Sequence, residues 1–350
     1  DPVPLQRPSR SEGAAWPIGN TGTPARPDAA LAAAAESYLA SSPGLYGVMV
    51  ATPETVLLER YSAHGARDRP TPSWSMTKAI TSTIIGRMIH EGWLGHVHDP
   101  APAPLWRDPR DIHRLITLDH LLRMRSGLGF PTLDGAGTTG LAFENSIVYF
   151  EAADAFETAQ RAIVATVPGS VYRYINTGLN VLGAIIRDQI ERRGLPYHAT
   201  VYSLLADRLG METYQHSADI NGNLIASGSG FATLRDYARF GLFLAQDGVW
   251  NGERLLPEGW VDYAMAPTHG GTAYAACFRT NIDGTFPSLP HDAAWASGAS
   301  DQKIIVIRQH RLVIVTTNET DHPIDMAALD RLGAAAIASV GSHVALRAAE

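Results

Sequence analysis

The stretch PSWSMTKAITSTIIGRMIHEG, Pro72 to Gly92, places a serine and a lysine three residues apart at the head of an apolar run. From Thr77 onward Ile80, Ile84, Ile85, Met88 and Ile89 recur at helical spacing, and EGWLG closes the segment on a glycine. The spacing predicts a helix buried on at least one face. If SMTK opens that helix, Ser75 and Lys78 share a face one turn apart, with about 4.5 Å of axial rise between their backbones. Their side-chain heads can then meet.

The lysine is out of keeping with the rest of the chain. Of 28 lysines and arginines only Lys78 and Lys303 are lysine. A guanidinium keeps its proton, whereas a buried ammonium can lose one and act as a base. A position that keeps lysine against that bias is a candidate titratable amine. Lys303 precedes an apolar strand-like run and is expected to be a solvated edge charge. A serine hydroxyl becomes nucleophilic when a base takes its proton, and a lysine desolvated at the start of a buried helix can be that base. The helix N-terminus also turns N–H groups towards an oxyanion. Taken alone, S-x-x-K is met as well by a capping serine and a lysine reaching solvent, so the reading depends on context.

Two further segments supply it. PGSVYRYINTGLNVLG, residues 168 to 183, puts Tyr174 and Asn176 just before a second helix. A tyrosine there can relay a proton and an asparagine amide can orient a carbonyl; equally, Asn176 can cap the helix and Tyr174 can belong to the core. WASGAS, residues 295 to 300, sets a glycine on a late strand, the mark of a close approach by a ligand or another backbone, or of a β-bulge.

Composition narrows the rest. The chain has 350 residues, 45% of them hydrophobic, enough for a large core or for two lobes sharing an interface. A net charge of −7 without a basic block disfavours nucleic acid and anionic membrane as partners. No apolar run approaches the roughly 20 residues that span a bilayer. One cysteine, Cys277, excludes an intrachain disulfide and a multi-cysteine metal site. In its apolar context it reads as packing. The opening at Asp1 is consistent with a removed signal peptide or a trimmed chain, and bacterial-type cytoplasmic and periplasmic or secreted locations both stay open. His96 and His98 have no third ligand nearby, so no metal and no cofactor are expected. SGSG at residues 227 to 230 lacks the G-x-S-x-G spacing of a nucleophile elbow, which disfavours an α/β-hydrolase.

The order of elements points to a mixed α/β sandwich of the α+β kind. Residues 1–28 read as an extended arm laid on the body. An aspartate-capped helix, DAALAAAAESYLASS, and a hairpin, GLYGVMVAT with TVLLERYS, follow; strands return in AAWASGAS, KIIVIRQH and LVIVTTNE, before a last helix in IDMAALDRLGAAAIASV. Residues 117 to 250 read mostly as helices. One antiparallel sheet is therefore expected from residues 29–64 and 265–350, flanked by helices, with a mainly helical lobe, 65–264, inserted between and carrying the nucleophile and tyrosine motifs. The site is expected in the cleft. Residues 130 to 160 are expected to give part of its wall, with aromatic and acidic residues favouring an apolar or amine-bearing substrate.

In this order and at this separation the three segments resemble the serine β-lactamase and penicillin-binding-protein superfamily, specifically its class C-like branch of esterases, D-amino-acid peptidases and hydrolases of the 6-aminohexanoate-dimer type. ITLDHLLRMRSGL and TLRDYARFGLFLAQDGVWNGERLLPEGW carry the likeness further, over roughly residues 40 to 340. The resemblance implies a serine hydrolase acting on a small carboxylic ester or amide through an acyl-enzyme on Ser75. Lys78 and Tyr174 are then its proton-transfer partners, and which of them is the base stays open. Ala296-Ser297-Gly298 fall where the third motif lies, and Ala299 supplies an oxyanion N–H beside that of Ser75. Trp295, Asn176, Ser297 and Gly298 are implied on the substrate side. Many penicillin-recognising members carry a cation where this chain has Ala296. Activity as a β-lactamase or D-amino-acid peptidase is accordingly the alternative, with Arg279 or Arg308 as replacement cations, and a catalytically silent ligand-binding homologue is the second. The implied partner is a small molecule; the oligomeric state is undetermined.

Overall fold

A computed structural model describes residues 15–20, 28–132, 140–147, 149, 152–270, 272–319 and 321–347. Its centre is a six-stranded sheet, antiparallel at every pairing, in the order Arg279–Thr280, Ala294–Ser297, Lys303–Ile307, Leu312–Asn318, Leu45–Ala51, Val56–Tyr61. The two ends of the chain build it together, as the strand pattern requires.

Successive residues of a strand point to opposite faces, and here both faces are covered. Val48, Val50, Ile305, Ile307 and Ile314 pack with Leu31 and Leu332 of two terminal helices, Ala29–Ser41 and Met326–Arg347. Met49, Ala51, Ile304, Val306, Val313 and Val315 join the larger core, which includes Phe240 and Phe243 of the helix Leu234–Ala245. Burial on both sides explains why KIIVI and LVIVTT lack polar alternation. The first helix begins where the Asp28 carboxylate accepts the Leu31 N–H at 2.7 Å. Tyr38 of that helix reaches Thr316 at 3.0 Å.

Lys303 corrects an expectation. Its strand lies inside the sheet, not at its edge, and the side chain is buried, with Nζ donating to the Asp301 carbonyl and carboxylate, each at 3.0 Å. Burial lowers its ammonium pKa and Asp301 pulls it back.

Of the expected arm, residues 1–14 and 21–27 lie outside the described residues. The part that is described docks on the body: Trp16 Nε1 donates to the Thr52 carbonyl, and Arg239 donates to the carbonyls of Pro17 and Gly19.

The helix Thr77–His90 is buried along nearly its whole length and packs on the helix Thr177–Glu191. Residues 117 to 250 hold helices at Leu118–Leu122, Thr177–Glu191 and Leu234–Ala245, within the segments the pattern marks. Among the described residues no helix is long and apolar enough to cross a membrane.

Candidate active site

Ser75 sits in a 3₁₀ turn, Trp74–Met76, that runs into the helix Thr77–His90. The turn is fixed from one side by Ser73, whose N–H and hydroxyl both donate to the Gly230 carbonyl, at 2.7 and 2.9 Å, and whose hydroxyl lies 2.6 Å from that of Thr77. Between these anchors Trp74 takes φ +43°, a left-handed conformation that is an outlier for an aromatic residue. Such strain persists only where the surroundings over-determine it. Its consequence is that Ser75 faces a cavity of about 790 Å³.

Lys78 lies one turn on, 1% exposed. Its Nζ is 2.7 Å from Ser75 Oγ and donates to the Ser227 carbonyl at 2.6 Å. Burial draws its pKa down to about 8, with Tyr149 and Cys277 pulling it back. Near pH 7 about a tenth of the molecules therefore hold a neutral amine there, and the share rises through pH 8, with one N–H engaged by Ser227 and a lone pair available to the serine. The Tyr174 ring centroid stands 5.1 Å from Nζ. Burial raises the Tyr174 phenol above its ordinary range, while a hydrogen bond with Ser75 and the charge of Arg279 lower it. Tyr174, distant in sequence, thus stands in one cluster with Ser75 and Lys78.

The opposite wall is the end of the strand Ala294–Ser297. Ser297, Gly298 and Ala299 line the cavity. Gly298 explains itself: a β-carbon there would overlap the Ser73 carbonyl oxygen, so the close approach is by another backbone. Ala299 opens a 3₁₀ turn, and first-turn N–H groups have no partner inside their own helix. With the Ser75 N–H, this is an arrangement that can receive an oxyanion.

Asn176 borders the helix Thr177–Glu191 but makes no side-chain cap. Its amide N–H donates to Asn145 Oδ1, while its own buried Oδ1 has no partner among the described residues. Both asparagines line the cavity. Trp295 does not. It is packed edge-on against Phe286 in the core under the terminal helices and touches only a smaller neighbouring recess.

Sequence reasoning missed several residues. Ser227 holds Lys78 by its carbonyl and, by its hydroxyl, meets Tyr149 at 3.1 Å and Asn180 at 3.3 Å. Ser229, at φ +65°, lines the cavity. SGSG is thus no nucleophile elbow yet belongs to the site, and its alternating glycines were the available signal. Tyr274 stacks edge-on to Tyr174 at 5.8 Å and closes another side.

From residues 130 to 160 the wall receives Asn145 and Tyr149, but residues 133–139, 148, 150 and 151 lie outside the described residues. Of the acidic residues in that stretch, Asp134 and Glu151 lie outside the described residues, and the other three are engaged away from the cavity. Glu144 is buried against Arg173, Asp154 caps a helix and Glu157 pairs with Arg161. No carboxylate lines the cavity among the described residues. Of the two arginines considered, Arg308 pairs with Asp262 and Asp247, whereas Arg279 lines the cavity. Cys277 also lines it, but its Sγ donates to the Leu122 carbonyl and burial pushes the thiol up to about 12, so it stays protonated. His96 and His98 stand on an exposed turn with rings 5.1 Å apart, and no cluster of three metal-ligating side chains forms among the described residues.

A beta-lactamase family profile matches residues 31–339. Esterase EstB of Burkholderia gladioli is 31% identical over 147 residues, 39% of this chain and 36% of the esterase. The match thus spans little more than a third of that relative's length. A candidate 6-aminohexanoate-dimer hydrolase from Bacillus anthracis superposes with a TM-score of 0.70 at 21% identity, covering 88% of this chain and 81% of the other. A penicillin-binding protein homologue from Caulobacter crescentus does so with a TM-score of 0.70 at 18% identity, covering 91% and 99%. At these identities the structural likeness establishes the fold alone.

Proposed function

The chain belongs to the beta-lactamase family, and from that premise we propose that it is a serine hydrolase of small carboxylic esters or amides, working through an acyl-enzyme on Ser75. The observation that carries this reading is the contact of 2.7 Å between Ser75 Oγ and a buried Lys78 Nζ whose pKa is drawn down to about 8. A lysine that only capped or solvated the helix would be exposed and fully charged.

Ser75 Oγ attacks the substrate carbonyl carbon and its proton passes to the Lys78–Tyr174 pair. The oxyanion rests on the N–H groups of Ser75 and Ala299; donors of this kind contribute about 3 to 4 kcal/mol each. As the tetrahedral carbon collapses, the pair returns the proton to the leaving oxygen or nitrogen. Water then attacks the acyl-enzyme by the same route in reverse, releasing a carboxylic acid and restoring Ser75. Because the two groups share their protons, the titration belongs to the pair.

The test uses wild type and Ser75→Ala with p-nitrophenyl acetate, p-nitrophenyl butyrate, nitrocefin and a 6-aminohexanoate dimer, reading rates and intact mass. Ser75-dependent turnover with a transient acyl adduct is expected for an ester or the amide. Strong nitrocefin turnover would identify the β-lactamase alternative. No turnover and no adduct with any of them would identify a silent binder.

A further inference from the structure

We propose that His216 is a positioning residue that holds Lys78 at Ser75, by fastening both ends of the loop 225–228 whose Ser227 carbonyl receives the lysine. The loop is buried and belongs to no helix or strand, so its carbonyls need donors from other parts of the chain. Two sources supply them. From the helix Thr77–His90, Thr81 Oγ1 donates to the Ala226 carbonyl at 2.7 Å and Lys78 Nζ to that of Ser227 at 2.6 Å. From the other side, Nε2 of His216 reaches the two flanking carbonyls, that of Ile225 at 2.7 Å and that of Gly228 at 3.1 Å. Ile225 also closes the turn by accepting the Gly228 N–H at 3.1 Å.

Both partners of Nε2 can only accept, so this nitrogen carries the proton. His216 is then the neutral Nε2–H tautomer, with Nδ1 turned to the Tyr214 hydroxyl at 3.4 Å. Burial lowers the pKa of the ring and so favours that neutral form.

The ring is itself held in place. The His216 N–H donates to the Tyr202 hydroxyl at 3.0 Å, and His216 pairs with Gly230 in the small sheet. Gly230 also anchors the turn before Ser75, through Ser73 at 2.9 Å and the Thr77 hydroxyl at 3.2 Å. A lysine stem is flexible, and its ammonium stops where its partners stop it. Here those partners are the Ser227 carbonyl and Ser75 Oγ, at 2.6 and 2.7 Å. Removing Nε2 takes a donor from the carbonyls on both sides of Ser227 at once.

That this contact serves proton transfer rests on the hydrolase reading; the contact itself is tested without a substrate. Lys78 and Lys303 are the only lysines of the chain, so protein isotopically labelled at lysine Cε gives two NMR signals, assigned with Lys78→Arg. The titratable side chains facing Nζ are Tyr149, Tyr174 and Cys277, and every variant compared keeps them. In wild type Lys78 should titrate at about 8. His216→Asn, whose amide stops short of the Nε2 position, deprives the ammonium of a fixed acceptor and should move that midpoint down by about half a pH unit or more. It should also lower kcat/KM for p-nitrophenyl butyrate about tenfold. His216→Gln, whose amide N–H reaches the Nε2 position, should return both towards wild type. Glu59→Ala, destabilised elsewhere in the core, should leave the Lys78 midpoint in place. A midpoint in His216→Asn that equals the wild-type value, or rises above it, would overturn the inference. Where the asparagine variant does not fold, wild type decides: a ring close to Ile225 and Gly228 should keep the neutral Nε2–H form from about pH 6 to about pH 9, and an Nδ1–H form there would overturn the inference equally. A Lys78 midpoint that depends on His216, in a protein without Ser75-dependent turnover, would sink the hydrolase reading and leave the hold of His216 on Lys78 standing.

Discussion

Gly298 and Ser73 touch backbone to backbone, so the strand that ends in the oxyanion turn is set directly against the turn that presents Ser75. Each half of the site thereby fixes the position of the other. A one-carbon addition at Gly298 meets a carbonyl oxygen that the Met76 N–H already engages at 3.0 Å, and neither backbone can yield alone. Gly298→Ala should therefore part the two turns. Misplacement by about 1 Å is expected to cut kcat/KM for p-nitrophenyl butyrate by about a hundredfold. Overpacking is expected to lower stability by about 1 to 3 kcal/mol in urea denaturation. Retention of full activity would show that the contact does not set the oxyanion geometry.

Lys78 makes the rate depend on pH in a definite direction. The ammonium cannot accept the serine's proton, so kcat/KM should rise as the pH increases and level off above about 8. Lys78→Arg keeps a cation that cannot deprotonate and should be nearly inactive at every pH. A pH–rate profile of both proteins checks this, and an active arginine variant ends the general-base role.

Ser227 links three parts of the site. Its carbonyl holds Lys78 and its hydroxyl holds Tyr149 and Asn180. Ser227→Ala leaves the carbonyl in place but deprives the Asn180 amide of its partner, in a residue whose Oδ1 already lacks one among the described residues. A loss of about 1 to 3 kcal/mol in stability is expected. The rate should fall by a smaller factor than in Lys78→Arg. A loss of activity as deep as in Lys78→Arg would mean that the hydroxyl itself takes part in proton transfer.

What was legible in the sequence was what is local. Ser75 and Lys78 stand one helical turn apart, and Tyr174 and Asn176 two residues apart, so spacing alone brings each pair into register. Ser227, which holds Lys78 from behind, and Tyr274, which lines the cavity, come from other parts of the chain, and beyond the alternating glycines of SGSG no local pattern announces their contacts. Two errors have simple causes. The motif's position puts Trp295 on the substrate side, yet alternation along its strand turns it into the core beneath the terminal helices. Lys303 reads locally as an edge charge because its strand's position in the sheet depends on pairing with both Ala294–Ser297 and Leu312–Asn318, which no local pattern encodes.

The buried pair of Arg235 and Glu59 ties the Leu234–Ala245 helix to the strand Val56–Tyr61 by two bonds of 2.9 and 2.7 Å. Glu59→Ala strands a guanidinium in the core. Breaking one side of such a pair is expected to cost about 3 to 5 kcal/mol, read by urea denaturation at neutral pH. A loss below about 1 kcal/mol would place the pair among the weak surface bridges.

The proton chemistry assigned to Lys78 also has a cost in stability. Its pKa falls from 10.5 in the free side chain to about 8 in the fold. Between those values the unfolded chain binds a proton that the folded one does not, so stability should rise with pH through that window. Below about pH 8 both states are protonated and the full penalty of the buried charge is present, on the order of 3 kcal/mol. Lys78→Met removes the charge and keeps the length of the stem. It should abolish hydrolysis while raising stability at pH 7 by about 1 to 3 kcal/mol, the lost bond to the Ser227 carbonyl offsetting part of the gain. Above pH 10 the wild-type amine is neutral too, and the two proteins should denature at nearly the same urea concentration. An equal gain at both pH values would trace the effect to packing; no gain at pH 7 would mean that the folded protein does not hold Lys78 at a penalty, and the depressed pKa on which the mechanism relies would be lost with it.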